Sequence, residues 1–167
     1  MKKQTICKLL SGAIILVGIL LDQLTKYLAA THLRPIGSLP LWKGVLHLTY
    51  VENRGAAFGM LADNRWVFMI VSSIALAAML VYFYFFARHY TYLGTVALGM
   101  IISGGIGNMI DRTALGYVVD FIDFTLINFA VFNFADTIVC VGAGLLVLAI
   151  LLDGDGKKKE TGNDPSL

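Results

Sequence analysis

Three aspartates in the second half of the chain are the residues best placed to do chemistry. Asp136 lies inside the apolar run 129–152, where an unpaired carboxylate is costly and usually functional. Asn133 precedes it by one helical turn, so the two side chains share a helix face. Asp120 and Asp123 lie upstream, and spacing alone leaves open which of them faces Asp136. Two carboxylates around one water can hydrolyse a peptide bond, because one holds a proton while the other draws a proton from the water.

Composition places these carboxylates in a membrane protein. The 167-residue chain is 57% hydrophobic and only 14% charged, whereas soluble domains have about 25% charged residues. The 10 Phe and 7 Tyr exclude a disordered chain. The net charge of +2 is too small to indicate nucleic acid binding. The two cysteines, Cys7 and Cys140, form neither a disulfide framework nor a metal-ligand pattern.

Four apolar runs are long enough to position these residues in a bilayer. The runs are 9–30, 66–86, 92–110 and 129–152. Because roughly 20 apolar residues cross a membrane, they predict an all-α membrane fold, a four-transmembrane antiparallel helical bundle within a single domain of residues 1–152. The first run alone also resembles a cleaved signal peptide. Asp22 and Lys26 follow its apolar centre one turn apart and can pair on one helix face, which favours a retained span.

Two segments outside the spans have the character of strands. Residues 45–51 and 117–125 are rich in β-branched and aromatic residues, which predicts a small extracytoplasmic β element. The polar tail 153–167 is predicted to be disordered and cytoplasmic. Lys and Arg beside the two termini and the turn at 88–89 slightly outnumber those on the other side, so the positive-inside rule favours both termini in the cytoplasm.

This topology brings the unusual polar residues to one face of the bundle, at the outer leaflet. The residues that meet there are Asp22, Lys26, Glu52, Asn53, Arg54, Asn108, Asp111, Arg112, Asp120, Asn133 and Asp136. Each of them alone is open to a simpler interpretation as a helix cap or a headgroup contact. Their convergence predicts one site near the outer membrane surface.

Other chemistries have weaker support in the sequence. Ser103 lies within an apolar run, but a serine protease needs a nearby histidine, and His89 is predicted at the opposite membrane face. The zinc motif His-Glu-x-x-His is absent. A proton-coupled carrier that uses Asp22 and Asp136 as relay groups is the alternative from another class. The apolar inner halves of the predicted spans argue against such a conduction path.

Five ordered blocks carry a resemblance to a known family. The blocks are Asp22-Gln-Leu-Thr-Lys26, Asn53-Arg-Gly-Ala-Ala-Phe-Gly59, Gly104-Gly-Ile-Gly-Asn-Met-Ile-Asp-Arg112, Val119-Asp120-Phe121 and Phe132-Asn-Phe-Ala-Asp136. With these blocks on four predicted spans, the chain resembles the lipoprotein signal peptidases (signal peptidase II), bacterial aspartic proteases of the cytoplasmic membrane. The resemblance covers nearly the whole chain outside the tail, and no motif position departs from the family pattern.

The resemblance implies roles for individual residues. Asp120 and Asp136 match the catalytic pair of the family, so the resemblance selects Asp120 over Asp123. Family positions that line the site and hold substrate or orient the pair are matched by Asn53, Gly55, Asn108, Arg112 and Asn133. Asp22 and Lys26 match a block that supports the fold near the site.

The resemblance also implies a substrate and a compartment. The family cuts a prolipoprotein just before its diacylglyceryl-modified cysteine, at the outer face of the cytoplasmic (inner) membrane. The glycine- and alanine-rich segment 55–59 is then expected to lie over the substrate peptide. We expect a monomeric enzyme without metal or cofactor. Its expected partners are lipid-modified prolipoproteins, membrane lipid and globomycin-type inhibitors, with no nucleic acid partner.

Overall fold

The computed structural model of the chain describes residues 2–55, 65–86 and 91–161. Its elements in chain order are α1 (Lys3–His32), β1 (Ser38–Trp42), β2 (Leu46–Asn53), α2 (Arg65–Phe86), α3 (Tyr92–Ala114), β3 (Val118–Asp123), a short 3-10 helix (Thr125–Ile127) and α4 (Phe134–Thr161). The predicted turn at 88–89, the part of the segment 55–59 beyond Gly55 and the last residues of the tail lie outside the described residues.

Long apolar helices make up most of the fold. Among the described residues, three helical segments are long and apolar enough to cross a membrane: Lys3–His32, Tyr92–Ala114 and Phe134–Asp153. α2 contributes a shorter apolar stretch, Met69–Phe83. Large apolar side chains such as Leu16 and Val147 are 60% and 57% exposed. This outward arrangement fits helices that are surrounded by lipid, since lipid tails are as apolar as leucine.

α3 is the central helix and packs against α1, α2 and α4. Glycines in α3 permit this close packing. A Cβ added at Gly104 would lie 2.5 Å from the carbonyl oxygen of Ala135 in α4, and a Cβ added at Gly107 would overlap the Asp22 carboxylate in α1. Because neither glycine has a side chain, the backbone of α3 lies directly against both neighbours.

The three strands form one antiparallel sheet in the order β1-β2-β3. β2 and β3 confirm the strand character that the sequence predicts for 45–51 and 117–125. β1 is not among the predicted strands. It contains Pro40, which is tolerated because β1 is an edge strand. Ala29 and Leu33 of α1 pack with Val119 of β3, which fixes the sheet to the C-terminal end of α1.

The fourth helix begins later than the apolar run that predicts it. α4 starts at Phe134, because the residues before it belong to the edge of the sheet. Phe132 forms an antiparallel β-bridge with Ile122 of β3. The ring of Phe132 also stacks on that of Phe124, with centroids 5.8 Å apart. These contacts hold the start of α4 beside β3.

Candidate active site

Asp120 is a buried carboxylate on β3, with 1% of its surface exposed. The register of the sheet places Val51 of β2 opposite Asp120. The end of β2 therefore lies alongside Asp120, and Asn53 Nδ2 donates a hydrogen bond to Asp120 Oδ2 at 2.8 Å. The local fold thus pairs a buried carboxylate with an amide donor from the neighbouring strand.

Asp136 lies in the first turn of α4, where it forms a reciprocal cap with Asn133. The Asn133 backbone N–H donates to Asp136 Oδ2 at 3.1 Å, and the Asp136 backbone N–H donates to Asn133 Oδ1 at 3.0 Å. This is the pattern of a capping box, in which the capping residue and the third helical residue satisfy each other's backbone donors. A carboxylate is also favoured at a helix N-terminus by the helix dipole.

Asn133 joins the two aspartates. Its Nδ2 donates to Asp120 Oδ1 at 2.7 Å and to Asn108 Oδ1 at 3.1 Å. Asn108 Nδ2 in turn donates to Asp136 Oδ1 at 2.8 Å. Asp120 and Asp136 therefore belong to one hydrogen-bond network, and both line the same cavity of about 490 Å³.

Asp123 has different surroundings from Asp120. Its Oδ2 accepts a hydrogen bond from Thr49 Oγ1 at 2.8 Å across the sheet, and it does not line the cavity. The spacing leaves open whether Asp120 or Asp123 faces Asp136. In the structure Asp120, and not Asp123, lines the same cavity as Asp136.

The cavity has a polar side and an apolar side. Arg112 lies on the polar side, where Nη1 donates to the Asn108 carbonyl oxygen at 3.3 Å and Nη2 lies 3.5 Å from the Gly55 carbonyl oxygen. The apolar side is formed by Val118, Phe129, Ala130, Val131, Phe132 and Val141. The cavity therefore offers hydrogen-bond donors and acceptors on one side and apolar contact on the other.

Behind the cavity lies a buried ion pair. Lys26 is 3% exposed and Asp22 is fully buried, and Lys26 Nζ is 2.9 Å from Asp22 Oδ2. Asp22 Oδ1 also accepts a hydrogen bond from the Ala135 backbone N–H at 3.1 Å. The predicted pairing within α1 is therefore present, and it anchors the start of α4.

Gln23 is a further residue of this buried cluster and is absent from the predicted site, whereas Asp111 is among the residues predicted to meet there. Asp111 Oδ2 lies 3.2 Å from Lys26 Nζ and accepts from the Val119 backbone N–H at 3.1 Å. Gln23 Nε2 donates to Asp22 Oδ2 at 3.1 Å and to Asp111 Oδ1 at 3.0 Å. Gln23 lies within one of the blocks of the resemblance, and that position is the only signal in the sequence that could have identified it.

Burial changes the proton affinity of Asp120. Loss of hydration raises its pKa from 3.8 to about 6, and the charge of Asp136 acts in the same direction. The amide donors of Asn53 and Asn133 and the charge of Lys26 oppose the rise. A carboxyl with a pKa near 6 beside a second carboxyl suits acid and base roles within one pair.

Metal ligands are not grouped in the described parts of the chain. Within residues 2–55, 65–86 and 91–161, no three His, Cys, Asp or Glu side chains are placed to hold a metal ion together. The cavity is thus built from carboxylates, amides and one guanidinium on its polar side.

Comparison with known proteins identifies a family that this chain matches. The model of the family described as signal peptidase (SPase) II matches residues 14–152. The lipoprotein signal peptidase of Caldanaerobacter subterraneus subsp. tengcongensis is 50% identical over 144 residues, which cover 85% of this chain and 97% of that protein. The lipoprotein signal peptidase of Clostridioides difficile is 45% identical over 138 residues, which cover 83% of this chain and 90% of that protein.

A solved structure agrees with these matches. It is described as a bacterial membrane enzyme determined by the in meso method at 2.3 Å resolution. It is 36% identical to this chain and superposes with a TM-score of 0.77, covering 88% of this chain and 90% of that chain. The similarity extends over the helices and the sheet together.

Proposed function

The chain belongs to the signal peptidase II family, and from this membership we propose that it is a membrane aspartic endopeptidase that removes signal peptides from prolipoproteins. One observation carries the assignment of the site. The carboxylates of Asp120 and Asp136 line one cavity, and each accepts a hydrogen bond from Asn133. These two aspartates form the catalytic pair.

The proposed reaction uses the pair with one proton between the two carboxyl groups. The ionised carboxylate takes a proton from water while the water oxygen bonds to the scissile carbonyl carbon. The protonated carboxyl gives its proton to the carbonyl oxygen, which produces a tetrahedral diol. As the C–N bond breaks, the leaving nitrogen takes the proton held by the first group, and a diol hydroxyl returns a proton to the second. Both carboxyl groups then have their starting protonation.

The remaining polar residues of the cavity hold the pair and the substrate. Asn53 and Asn108 each donate to one member of the pair. Arg112 presents a guanidinium with five donors to the cavity, where it binds carbonyl oxygens of an extended peptide. Gly55 lies at the same edge and leaves room for the peptide backbone.

The proposed substrate is a prolipoprotein whose cysteine already carries diacylglyceryl, and the cut falls just before that cysteine. Such a substrate stays in the bilayer and reaches the site by lateral diffusion. The enzyme is a monomer with four spans, both termini in the cytoplasm and the site at the outer face of the inner membrane. Residues 1–152 form its single domain, 153–167 its cytoplasmic tail, and globomycin-type inhibitors occupy the same cavity.

A defined peptide tests this function. The purified protein in detergent is incubated with a synthetic lipobox peptide that carries diacylglyceryl on its cysteine, and with the same peptide without lipid. We expect mass spectrometry to show cleavage before the cysteine of the lipidated peptide only, with the same rate in EDTA. If neither peptide is cut, the proposed activity is wrong, and uptake of peptide into vesicles without cleavage would favour a carrier.

A further inference from the structure

Lys26 is a buried ammonium whose hydrogen-bonding capacity is completely used. Its Nζ lies 2.9 Å from Asp22 Oδ2, 2.9 Å from Asn108 Oδ1 and 3.2 Å from Asp111 Oδ2. An ammonium has three N–H donors and no acceptor. All three donors therefore have partners, and one of these partners belongs to the network that holds the candidate catalytic pair.

The contacts with Lys26 and Asn133 together decide which way the Asn108 amide points. Only the carbonyl oxygen of Asn108 can face an ammonium, because an NH₂ group there would meet another donor. The same oxygen accepts from Asn133 Nδ2. The Asn108 NH₂ group is thereby directed at Asp136 Oδ1, 2.8 Å away.

Asp136 therefore accepts hydrogen bonds from two N–H groups whose orientation is fixed. One is the Asn108 NH₂ group, whose orientation Lys26 fixes, and the other is the Asn133 backbone N–H. Donors to both oxygens favour the ionised carboxylate, and a proton on either oxygen would meet an N–H group. We infer that Lys26 is a positioning residue that, through Asn108, holds Asp136 as the ionised member of the pair, which leaves Asp120 to carry the proton. This assignment rests on the proposed peptidase function.

Asp120 differs from Asp136 in its surroundings. The hydrogen bonds that its two oxygens accept come from the side-chain amides of Asn53 and Asn133. Asp136 also accepts a hydrogen bond from a backbone N–H at the N-terminus of α4, where the helix dipole favours an ionised carboxylate. Asp120 is also the more deeply buried of the two carboxylates.

In the mechanism this assignment makes Asp136 the group that takes the proton from water and Asp120 the group that protonates the carbonyl oxygen. The other charged groups around the pair are Asp22 and Lys26 of α1 and Asp111 and Arg112 of α3. The cation nearest the Asn108 side chain is Lys26, and its removal leaves Asn133 Nδ2 as the remaining donor to the Asn108 oxygen.

The test is the pH dependence of kcat/KM for cleavage of the diacylglyceryl lipobox peptide. Lys26→Met is expected to move the acidic limb of this profile upwards by about one pH unit, because the network loses one of the two contacts that orient the Asn108 donor. The double variant Lys26→Met with Asp22→Asn keeps the buried charge balanced and is expected to give the same shift if the single variant folds poorly. Gln23→Met is the matched control. It removes hydrogen bonds from Asp22 and Asp111 but leaves the contact with Asn108, so it is expected to lower Tm without moving the limb.

The outcomes separate the positioning role from the function itself. A fall in kcat with an unmoved acidic limb in both Lys26 variants would make Lys26 a structural residue only and overturn the inference. A shift of the alkaline limb alone would indicate that Asp120 is the ionised member and Asp136 the protonated one, and it would also overturn the inference. Absence of cleavage by the unaltered protein would instead reject the proposed function.

Discussion

At the scale of single residues, environment separates side chains of the same type. Asp120 and Asp123 lie on one strand, yet only Asp120 of the two lines the cavity with Asp136. Asp123 accepts a hydrogen bond from Thr49 instead. Asn133 contacts both carboxylates, since its side-chain amide donates to Asp120 and its backbone N–H donates to Asp136, and its side-chain oxygen caps α4. The difference in surroundings gives a direct test of the pair.

Replacement of either cavity aspartate by asparagine is expected to abolish catalysis without loss of the fold. Asp120→Asn and Asp136→Asn keep the side-chain shape but remove the acid or the base, so kcat for the lipidated peptide should fall by about 10³-fold or more. Asp123→Asn is the matched control and should keep most of the activity. Rates and Tm values of the three purified variants provide the measurement. An active Asp136→Asn enzyme would refute the pair.

The raised pKa of Asp120 predicts how activity depends on pH. The protonated form of Asp120 is lost as pH rises through about 6. We therefore expect kcat/KM to fall above that pH, with the apparent value belonging to the coupled pair. Initial rates between pH 4 and 9 with the lipidated peptide measure this limb. A rate that rises from pH 6 to pH 9 would contradict it.

The raised pKa of Asp120 also makes the stability of the fold depend on pH. Asp120 binds its proton more tightly in the folded protein than at its ordinary pKa of 3.8, so the proton stabilises the fold. This contribution is fully present below about pH 4 and is lost as pH rises through about 6. Relative to Asp120→Asn, which does not titrate, the Tm of the unaltered protein should decline between pH 4 and 7. A Tm difference that grows in favour of the unaltered protein over this range would show that the pKa is lowered instead.

At the scale of elements, the site depends on how closely α3 approaches α1 and α4. Asn108 extends from α3 to Asp136 in α4, and Lys26 extends from α1 to Asn108. These hydrogen bonds span two helix interfaces, so a small separation of the helices breaks them. Gly104 and Gly107 are the positions that keep the interfaces tight.

Alanine at Gly104 is expected to damage both stability and activity. The new Cβ would lie 2.5 Å from the Ala135 carbonyl oxygen and 2.6 Å from Val139 Cγ2, and the backbone atom cannot move away cheaply. Overpacking of this kind costs about 1–3 kcal/mol, so Tm in detergent should fall by several degrees, with a parallel loss of kcat. Gly144→Ala is the matched control, because nothing lies within 4 Å of its added Cβ. Equal Tm values for the two variants would contradict the packing argument.

At the scale of the whole molecule, the buried charges among the described residues lie at one end of the bundle only. The buried charged residues of the described chain are Asp22, Lys26, Asp111 and Asp120. The sequence predicts that the other halves of the helices are apolar, but Ser11 and Thr95 are buried there as well. Thr95 Oγ1 donates to the Thr91 carbonyl oxygen within α3. Neither residue carries a charge. The buried charged residues named above therefore still lie at one end of the bundle, which indicates a site at one membrane face.

The proposed orientation can be measured by cysteine labelling. In a Cys140→Ser background, where Cys7 is buried, Lys43→Cys in the turn between β1 and β2 should react with a membrane-impermeant maleimide in intact spheroplasts. Lys2→Cys, at the N-terminus, should react only after the membrane is permeabilised. The reverse pattern would place the sheet and the cavity on the cytoplasmic side, and the proposed access of outer-leaflet substrate would fail with it.

The sequence by itself indicated a membrane protein and predicted that most of the polar residues around the cavity lie together. Hydropathy and aromatic content depend on residues close together in the chain, so they can be interpreted without a structure. The resemblance to a family selected Asp120, whereas the spacing alone did not distinguish Asp120 from Asp123. The domain boundaries and the four-span count remain predictions, as does the cytoplasmic position of both termini.

Only the tertiary structure decided how these residues act on one another. The start of α4 at Phe134, the edge strand β1 and the roles of Gln23 and Asp111 all depend on contacts between distant parts of the chain. The orientation of Asn108 is a further example, since it is set by Lys26 of α1 and by Asn133 beside α4. The physical reason is that hydrogen-bond direction depends on sheet register and helix packing, which local sequence patterns do not specify.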